Sequence, residues 1–270
     1  KSITAIIRNY FITGVVVLIP IGFTLYLSKI LIGISSKIIP QNINPNSYLP
    51  YSIPGIEMFA NEADIWVGRQ YGPYSIKELL GRGTVAHVYR AELRDGTEVA
   101  LKVLTPFAEA RQEIRSLFEQ EYELMVRVDH PNVLKAMQAG VIAGTHYMEI
   151  ELIEGETLWD RVQSSKPLHI TERIGTIQQM CSALDLVHDR RIIHRDVKPS
   201  NIMLDHQVER AVLFDFGLAH DLAGPPPPEG RVYGSPMFLA PEQAIGGRVD
   251  ERTDLYSLGA TLYRLAVGSA

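Results

Sequence analysis

His194-Arg195-Asp196-Val197-Lys198-Pro199-Ser200-Asn201, with Asp215-Phe216-Gly217 beginning fourteen residues after Asn201, is the stretch whose reading decides the fold. It sets out, in fixed order, side chains suited to handling a proton and a hard metal ion. Phosphate oxygens repel an incoming hydroxyl, so a phosphoryl-transfer site needs carboxylate and amide oxygens to hold Mg²⁺ and a carboxylate to orient the attacking group. Asp196, Asn201 and Asp215 supply those oxygens.

Working outward, Leu80-Gly81-Arg82-Gly83-Thr84-Val85-Ala86-His87-Val88 lies between two strand-like runs. Glycines there let backbone N–H groups approach a phosphate without a Cβ in the way. Val99-Ala100-Leu101-Lys102 follows at the distance of the next strand and brings a lysine within reach of the same phosphates. A charged helix is expected from about 108 to 127, most of its charges forming a solvated face. From Tyr74 onward the pattern runs strands, helix, strands, then helices, which predicts an α+β domain with its sheet first.

These motifs together resemble the protein kinases: the nucleotide loop, the strand lysine, the catalytic loop and the D-F-G metal loop, across residues 71–270. The resemblance implies a two-lobed protein-kinase-like fold, with a small β-sheet lobe plus one helix at 71–153 and a large helical lobe from 154. It also implies ATP and Mg²⁺ as cofactors. Asp196 would accept or orient the substrate hydroxyl proton, Lys198 would neutralise the γ-phosphate, and Asn201 and Asp215 would hold the metal. Lys102 would anchor the α- and β-phosphates and pair with Glu121, with Met125 one turn later packing behind Phe216. ATP would further meet Gly81 and Gly83, the apolar faces of Val88, Ala100 and Met203, and the backbone of Glu151 and Ile153, with Ile150 as gatekeeper. Ala86 stands where the family pattern has a third glycine, which narrows backbone freedom without removing an amide. His194, Arg195, Phe216, Gly217, Ser235, Glu242 and Asp254 would support the site, Asp254 by bracing the backbone near His194 and Ser235 by bridging Asp196 and Lys198.

Lysine two places after Asp196 resembles the serine/threonine kinases, so the expected partner is a protein substrate phosphorylated on Ser or Thr. Arg195 marks the type often regulated by an activation-loop phosphate, yet between Leu218 and Ala240 the only hydroxyl side chains are Tyr233 and Ser235. Helices beyond Ala270 and an arginine partner for Glu242 are expected to be missing, leaving a C-terminally truncated large lobe and an unpaired carboxylate.

The chain has 270 residues, of which 46% are hydrophobic, enough for a buried core. A formal net charge of -5 gives no global basic field, so nucleic acid is not an expected partner. A single cysteine, Cys181, excludes an intrachain disulfide and is expected as a buried helical thiol. Asn9 to Ser28 form twenty consecutive uncharged residues, mostly apolar, about one bilayer thickness of helix. A membrane segment is therefore expected over 1–36, with a Pro- and Asn-rich linker over 37–70. Arg8 to Gly14, Pro20, Thr24 and Ile53-Pro54-Gly55-Ile56 resemble the start of a small membrane-protein family that includes the plant COV-like proteins. The expected location is the cell membrane, with the kinase domain in the cytoplasm. Pro225 to Pro228 form a stiff polyproline stretch, a rigid spacer or a site for a proline-reading partner. Two other readings stand beside the enzyme: an ATP-binding pseudokinase scaffold, and an artificial fusion of a membrane protein with a kinase fragment.

Overall fold

The computed structural model describes residues 66–164, 168–224 and 234–267. The expected membrane segment, most of the linker and Pro225–Pro228 lie outside them. Among the described residues no helix is long and apolar enough to cross a membrane.

An antiparallel sheet of six strands opens the fold: β1 (Gln70–Tyr71), β2 (Tyr74–Arg82), β3 (Ala86–Glu92), β4 (Glu98–Leu104), β5 (Ala136–Ile142) and β6 (Thr145–Ile150), in the order β1-β2-β3-β4-β6-β5. Strand β4, Glu98-Val-Ala-Leu-Lys-Val-Leu104, is apolar except for its first residue and Lys102, and its apolar residues are all buried. Such a run suits a central strand covered on both faces. It carries Lys102 into the interior. One face, built on Tyr71, Tyr74, Ile76, Tyr89, Leu101 and Tyr147, forms its own apolar cluster. The other joins the main core.

The small lobe starts earlier than the expected boundary at residue 71. Trp66 stacks edge-on against Tyr71 with ring centroids 4.7 Å apart, and the Gly68 amide donates to the Ile76 carbonyl at 3.0 Å. An aromatic residue with a buried partner anchors its segment to the sheet, whatever the polarity of the residues before it.

After β4 come α1 (Pro106–Glu109) and α2 (Gln112–Met125). Helix α2 buries Phe118, Glu121, Leu124 and Met125, a stripe at helical spacing, while Glu119 and Glu123 are exposed. Periodicity therefore turns Glu121, among the three neighbouring glutamates, toward the core. Met125 and Phe216 are buried in the same apolar cluster.

The large lobe contains α3 (Leu158–Gln163), α4 (Ile170–Asp189), α5 (Pro241–Ala244) and α6 (Glu251–Val267), with β7 (Gly155–Thr157), β8 (Ile192–Ile193), β9 (Ile202–Asp205), β10 (Arg210–Leu213) and β11 (His220–Asp221). Strands β7, β9 and β10 form one small sheet and β8 pairs with β11. These short antiparallel pairs fix two loops: residues 194–201 between β8 and β9, and 214–219 between β10 and β11. Helix α4 begins in a capping box between His169 and Glu172 and buries Thr176, Met180, Ala183, Leu184 and Val187. Cys181 is helical but exposed, against expectation, because it falls just off that stripe.

Candidate active site

Lys102 and Glu121 meet in the main core. The Lys102 ammonium donates to both Glu121 carboxylate oxygens, at 2.6 and 2.7 Å. Burial alone would lower the lysine pKa, but the Glu121 and Asp215 carboxylates outweigh it and hold the ammonium above its ordinary value. A Cβ at Gly217 would come within 3.3 Å of an Asp215 carboxylate oxygen and 3.7 Å of one from Glu121. The absence of a side chain at Gly217 thus leaves room for two carboxylates beside one lysine.

The catalytic loop is held from below by α6. Asp254 is fully buried, and its carboxylate accepts from the His194 and Arg195 amides, each at 2.8 Å, and faces His188 Nε2 at 2.9 Å. A buried carboxylate is tolerated because these donors replace its water. Arg195 has φ of 64°, a left-handed conformation that costs a non-glycine residue energy. The bond to Asp254 and a 2.6 Å bond from Arg195 Nε to the Leu218 carbonyl offset that cost. His194 accepts from the Asp196 amide at Nδ1, so its proton sits on Nε2, which faces the Phe214 carbonyl at 3.2 Å. Its ring also packs edge-on against Phe216, centroids 4.8 Å apart. The two loops are locked to each other through His194.

Asp196 is 7% exposed and lies at the centre of a polar cluster. Lys198 Nζ reaches its Oδ2 at 2.5 Å and Ser235 Oγ at 2.8 Å, and the Ser235 hydroxyl donates to Asp196 Oδ1 at 3.1 Å. Asn201 Nδ2 donates to the Asp196 carbonyl and to its Oδ2, each at 3.0 Å. Both amide hydrogens of Asn201 are thereby used and its Oδ1 remains an acceptor. The Phe214 amide donates to the Asn201 carbonyl at 3.0 Å, which sets the metal loop beside the catalytic loop. Asp215, with φ of 67°, makes no hydrogen bond through its carboxylate among the described residues. An amide oxygen and a carboxylate are the hard ligands Mg²⁺ prefers, so these two residues fit that ion.

At the glycine loop the Gly83 amide donates to the Ala86 carbonyl at 3.0 Å, and a Cβ at Gly83 would lie 2.8 Å from that oxygen. Ala86 does not have a positive φ, so the alanine in place of a third glycine is unstrained. Gly81 is paired with Val88 in the β2–β3 ladder. Val88, Ala100 and Met203 all border the main core, Ala100 buried and the other two partly so. At the crossing between lobes, the Glu151 amide is engaged by the Lys135 carbonyl at 3.0 Å, leaving the Glu151 carbonyl as its backbone group for a ligand. Buried Ile150 and half-buried Ile153 flank that crossing.

The expectation that Glu242 lacks a partner is corrected by the structure. The Thr253 hydroxyl donates to Glu242 Oε1 at 2.7 Å. Half-burial and a local hydroxyl satisfy this carboxylate without an arginine. Residues that the sequence reading missed include Gln243, whose Nε2 donates to the Arg195 carbonyl at 2.9 Å, and Arg210, which joins Glu151 to Asp205. Neither belongs to a motif, and only the folded chain brings them to the site.

A small sheet lobe with its lysine–glutamate pair, set over a helical lobe that carries two oxygen-rich loops, defines a two-lobed phosphotransferase architecture. The chain belongs to the protein kinase domain family, whose model matches residues 74–270. Serine/threonine-protein kinase pkn2 of Myxococcus xanthus is 36% identical over 204 residues, covering 73% of this chain and 24% of that protein. Serine/threonine-protein kinase PrkC of Bacillus subtilis (strain 168) is 36% identical over 200 residues, covering 73% and 31%. The chain therefore spans less than a third of these relatives' length. The crystal structure of the Mycobacterium tuberculosis PknI kinase domain superposes with a TM-score of 0.58 at 28% identity, over 73% of this chain and 75% of that one.

Proposed function

We propose that the chain is an ATP- and Mg²⁺-dependent protein serine/threonine kinase. The observation that carries this reading is the Asp196 cluster: a sheltered carboxylate gripped by Lys198, Ser235 and Asn201 while Lys102 is paired with Glu121. Asp196 accepts the proton of the substrate hydroxyl as its oxygen bonds to the γ-phosphorus and the bond to the β–γ bridging oxygen breaks, leaving ADP. Lys198, already beside Asp196, supplies positive charge to the transferring group. Lys102 does the same for the α- and β-phosphates, and Glu121 fixes where its ammonium stands. Asn201 Oδ1 and the Asp215 carboxylate would hold Mg²⁺, which would supply positive charge to offset that on the phosphate oxygens. Adenine fits between Val88, Ala100 and Met203, with the Glu151 carbonyl and the Ile153 backbone at its edge. Serine/threonine specificity is supported by Lys198 and by the names of the relatives.

Transfer of ³²P from γ-labelled ATP to a generic protein substrate tests this directly. Asp196→Asn is expected to lower transfer about 10³-fold while ATP still binds. ATP binding without transfer in the parent chain would establish the scaffold reading instead.

Three finer parts of the proposal rest on sequence. The apolar run Asn9–Ser28 supports a membrane tether, the COV-like pattern supports its origin in a membrane protein, and Pro225–Pro228 supports docking of a proline-reading partner. The need for ATP supports a cytoplasmic kinase domain. Protection of residues 71–270 from protease inside sealed inverted vesicles would refute that location.

A further inference from the structure

Thr105 follows β4, three positions beyond Lys102, and is the N-cap of α1. Its hydroxyl donates to the Thr84 carbonyl at 2.9 Å and its backbone amide donates to the Val85 carbonyl at 2.9 Å. The residue is 9% exposed, so water competes little for either bond. Both acceptors lie in the tip of the glycine loop.

A trans peptide holds its C=O and N–H on opposite sides of the chain. With the Thr84 and Val85 carbonyls turned onto Thr105, the N–H groups of the same two peptides, those of Val85 and Ala86, face away from β4. Among the described residues neither amide has a protein acceptor outside the strand ladders. Gly83 closes the hairpin with its own amide on the Ala86 carbonyl, which fixes the tip from the other side. Two donors side by side, with carbonyls withdrawn behind them, make a surface for phosphate oxygens.

We propose that Thr105 is a positioning residue for the nucleotide phosphates: by holding the Thr84 and Val85 carbonyls, it aims the Val85 and Ala86 amides at them. The inference rests on reading residues 81–86 as the nucleotide loop. It also explains how the loop works with Ala86 in place of a glycine. A loop pinned by two bonds from one buried residue has less need of a flexible third position.

The test is titration of the full chain, in Mg²⁺, with ATP, ADP and adenosine, for the parent, Thr105→Val and Thr105→Ser. Valine keeps the shape and the backbone amide but lacks the donor hydroxyl, and serine retains it. ATP and ADP are expected to bind Thr105→Val about three- to tenfold more weakly, the worth of one sheltered hydrogen bond. Adenosine should bind all three proteins alike, and Thr105→Ser should stay within about twofold of the parent for every ligand. Thr105 also caps α1, so a merely structural role would weaken all three ligands equally, and that result overturns the proposal. Unchanged ATP binding by Thr105→Val overturns it too. Should the valine variant not fold, the parent alone decides: the Val85 and Ala86 amide resonances must shift between the adenosine and ADP complexes, and their failure to do so sinks the idea. A parent chain that binds neither ATP nor adenosine would remove the nucleotide-loop reading itself, a failure distinct from those above.

Discussion

The two oxygens of Glu121 receive one ammonium, and at 5% exposure this carboxylate has little water to fall back on. Lys102→Met therefore leaves a nearly buried charge alone and is expected to cost about 2–4 kcal/mol of stability, read by urea unfolding. It should also lower phosphate transfer by about 10²-fold or more. Glu121→Gln keeps a hydrogen-bond acceptor and should cost about 1 kcal/mol. Because both side chains act through one contact, the double variant should transfer phosphate no more slowly than Lys102→Met alone. Losses that multiply in the double variant would show that the pair is not a unit. The sign of the pH dependence follows from the same contact. A lysine whose folded pKa is raised contributes stability fully present below its unfolded value of 10.5 and lost as pH rises through the folded value. Titration of Lys102 accordingly leaves no step in the ATP KM between about pH 6 and pH 9.

At the scale of elements, α6 supports the loop 194–201 through Asp254 beneath it. Asp254→Asn replaces an acceptor of three donors with a group that has one acceptor oxygen and presents N–H toward the others. The expected cost is about 2–4 kcal/mol, with transfer falling further than stability because the strained Arg195 backbone loses its restraint. Equal ATP binding but unchanged transfer would mean that the brace is not needed. How much of this was legible in the sequence differs by element. The stretches 194–201 and 215–217 were readable as a pair because their side chains and spacing match one pattern, and the structure sets the two loops side by side. Glu121 was readable among its neighbouring glutamates by its place in the kinase pattern, and the 3.6-residue period of Phe118, Glu121 and Met125 explains why it is the one buried. Trp66 was not readable as part of the small lobe, since its partner Tyr71 is identified by packing and not by pattern. The Thr253 bond to Glu242 and the Thr105 bonds to the loop tip were hidden for a similar reason. Each joins segments whose approach depends on tertiary structure, and a threonine carries no positional signal of its own.

Across the whole kinase unit, the lobes are joined at residues 151–154, and two arginines span that joint in opposite directions. Arg90, on β3 of the small lobe, reaches Glu154 at 2.5 Å, while Arg210, on β10 of the large lobe, reaches Glu151 at 2.7 Å. Arg210 also donates to the Pro131 carbonyl at 2.9 Å, and Glu151 accepts from the Lys135 amide at 2.9 Å, so the second pair is tied to both lobes by more than charge. Opening the lobes to release ADP must strain or break these contacts. The pairs are partly exposed, at 20% and 38% for Arg90 and Glu154 and 24% and 23% for Arg210 and Glu151. Each is therefore worth only about 0.2–1 kcal/mol, and salt screens it. The double variant Arg90→Gln/Arg210→Gln should release ADP about two- to tenfold faster in stopped flow with a fluorescent nucleotide, with the larger part of the effect from Arg210. The parent's release rate should rise with ionic strength, and the variant's should hardly change. An equal salt response in the two proteins would show that these ion pairs do not restrain opening.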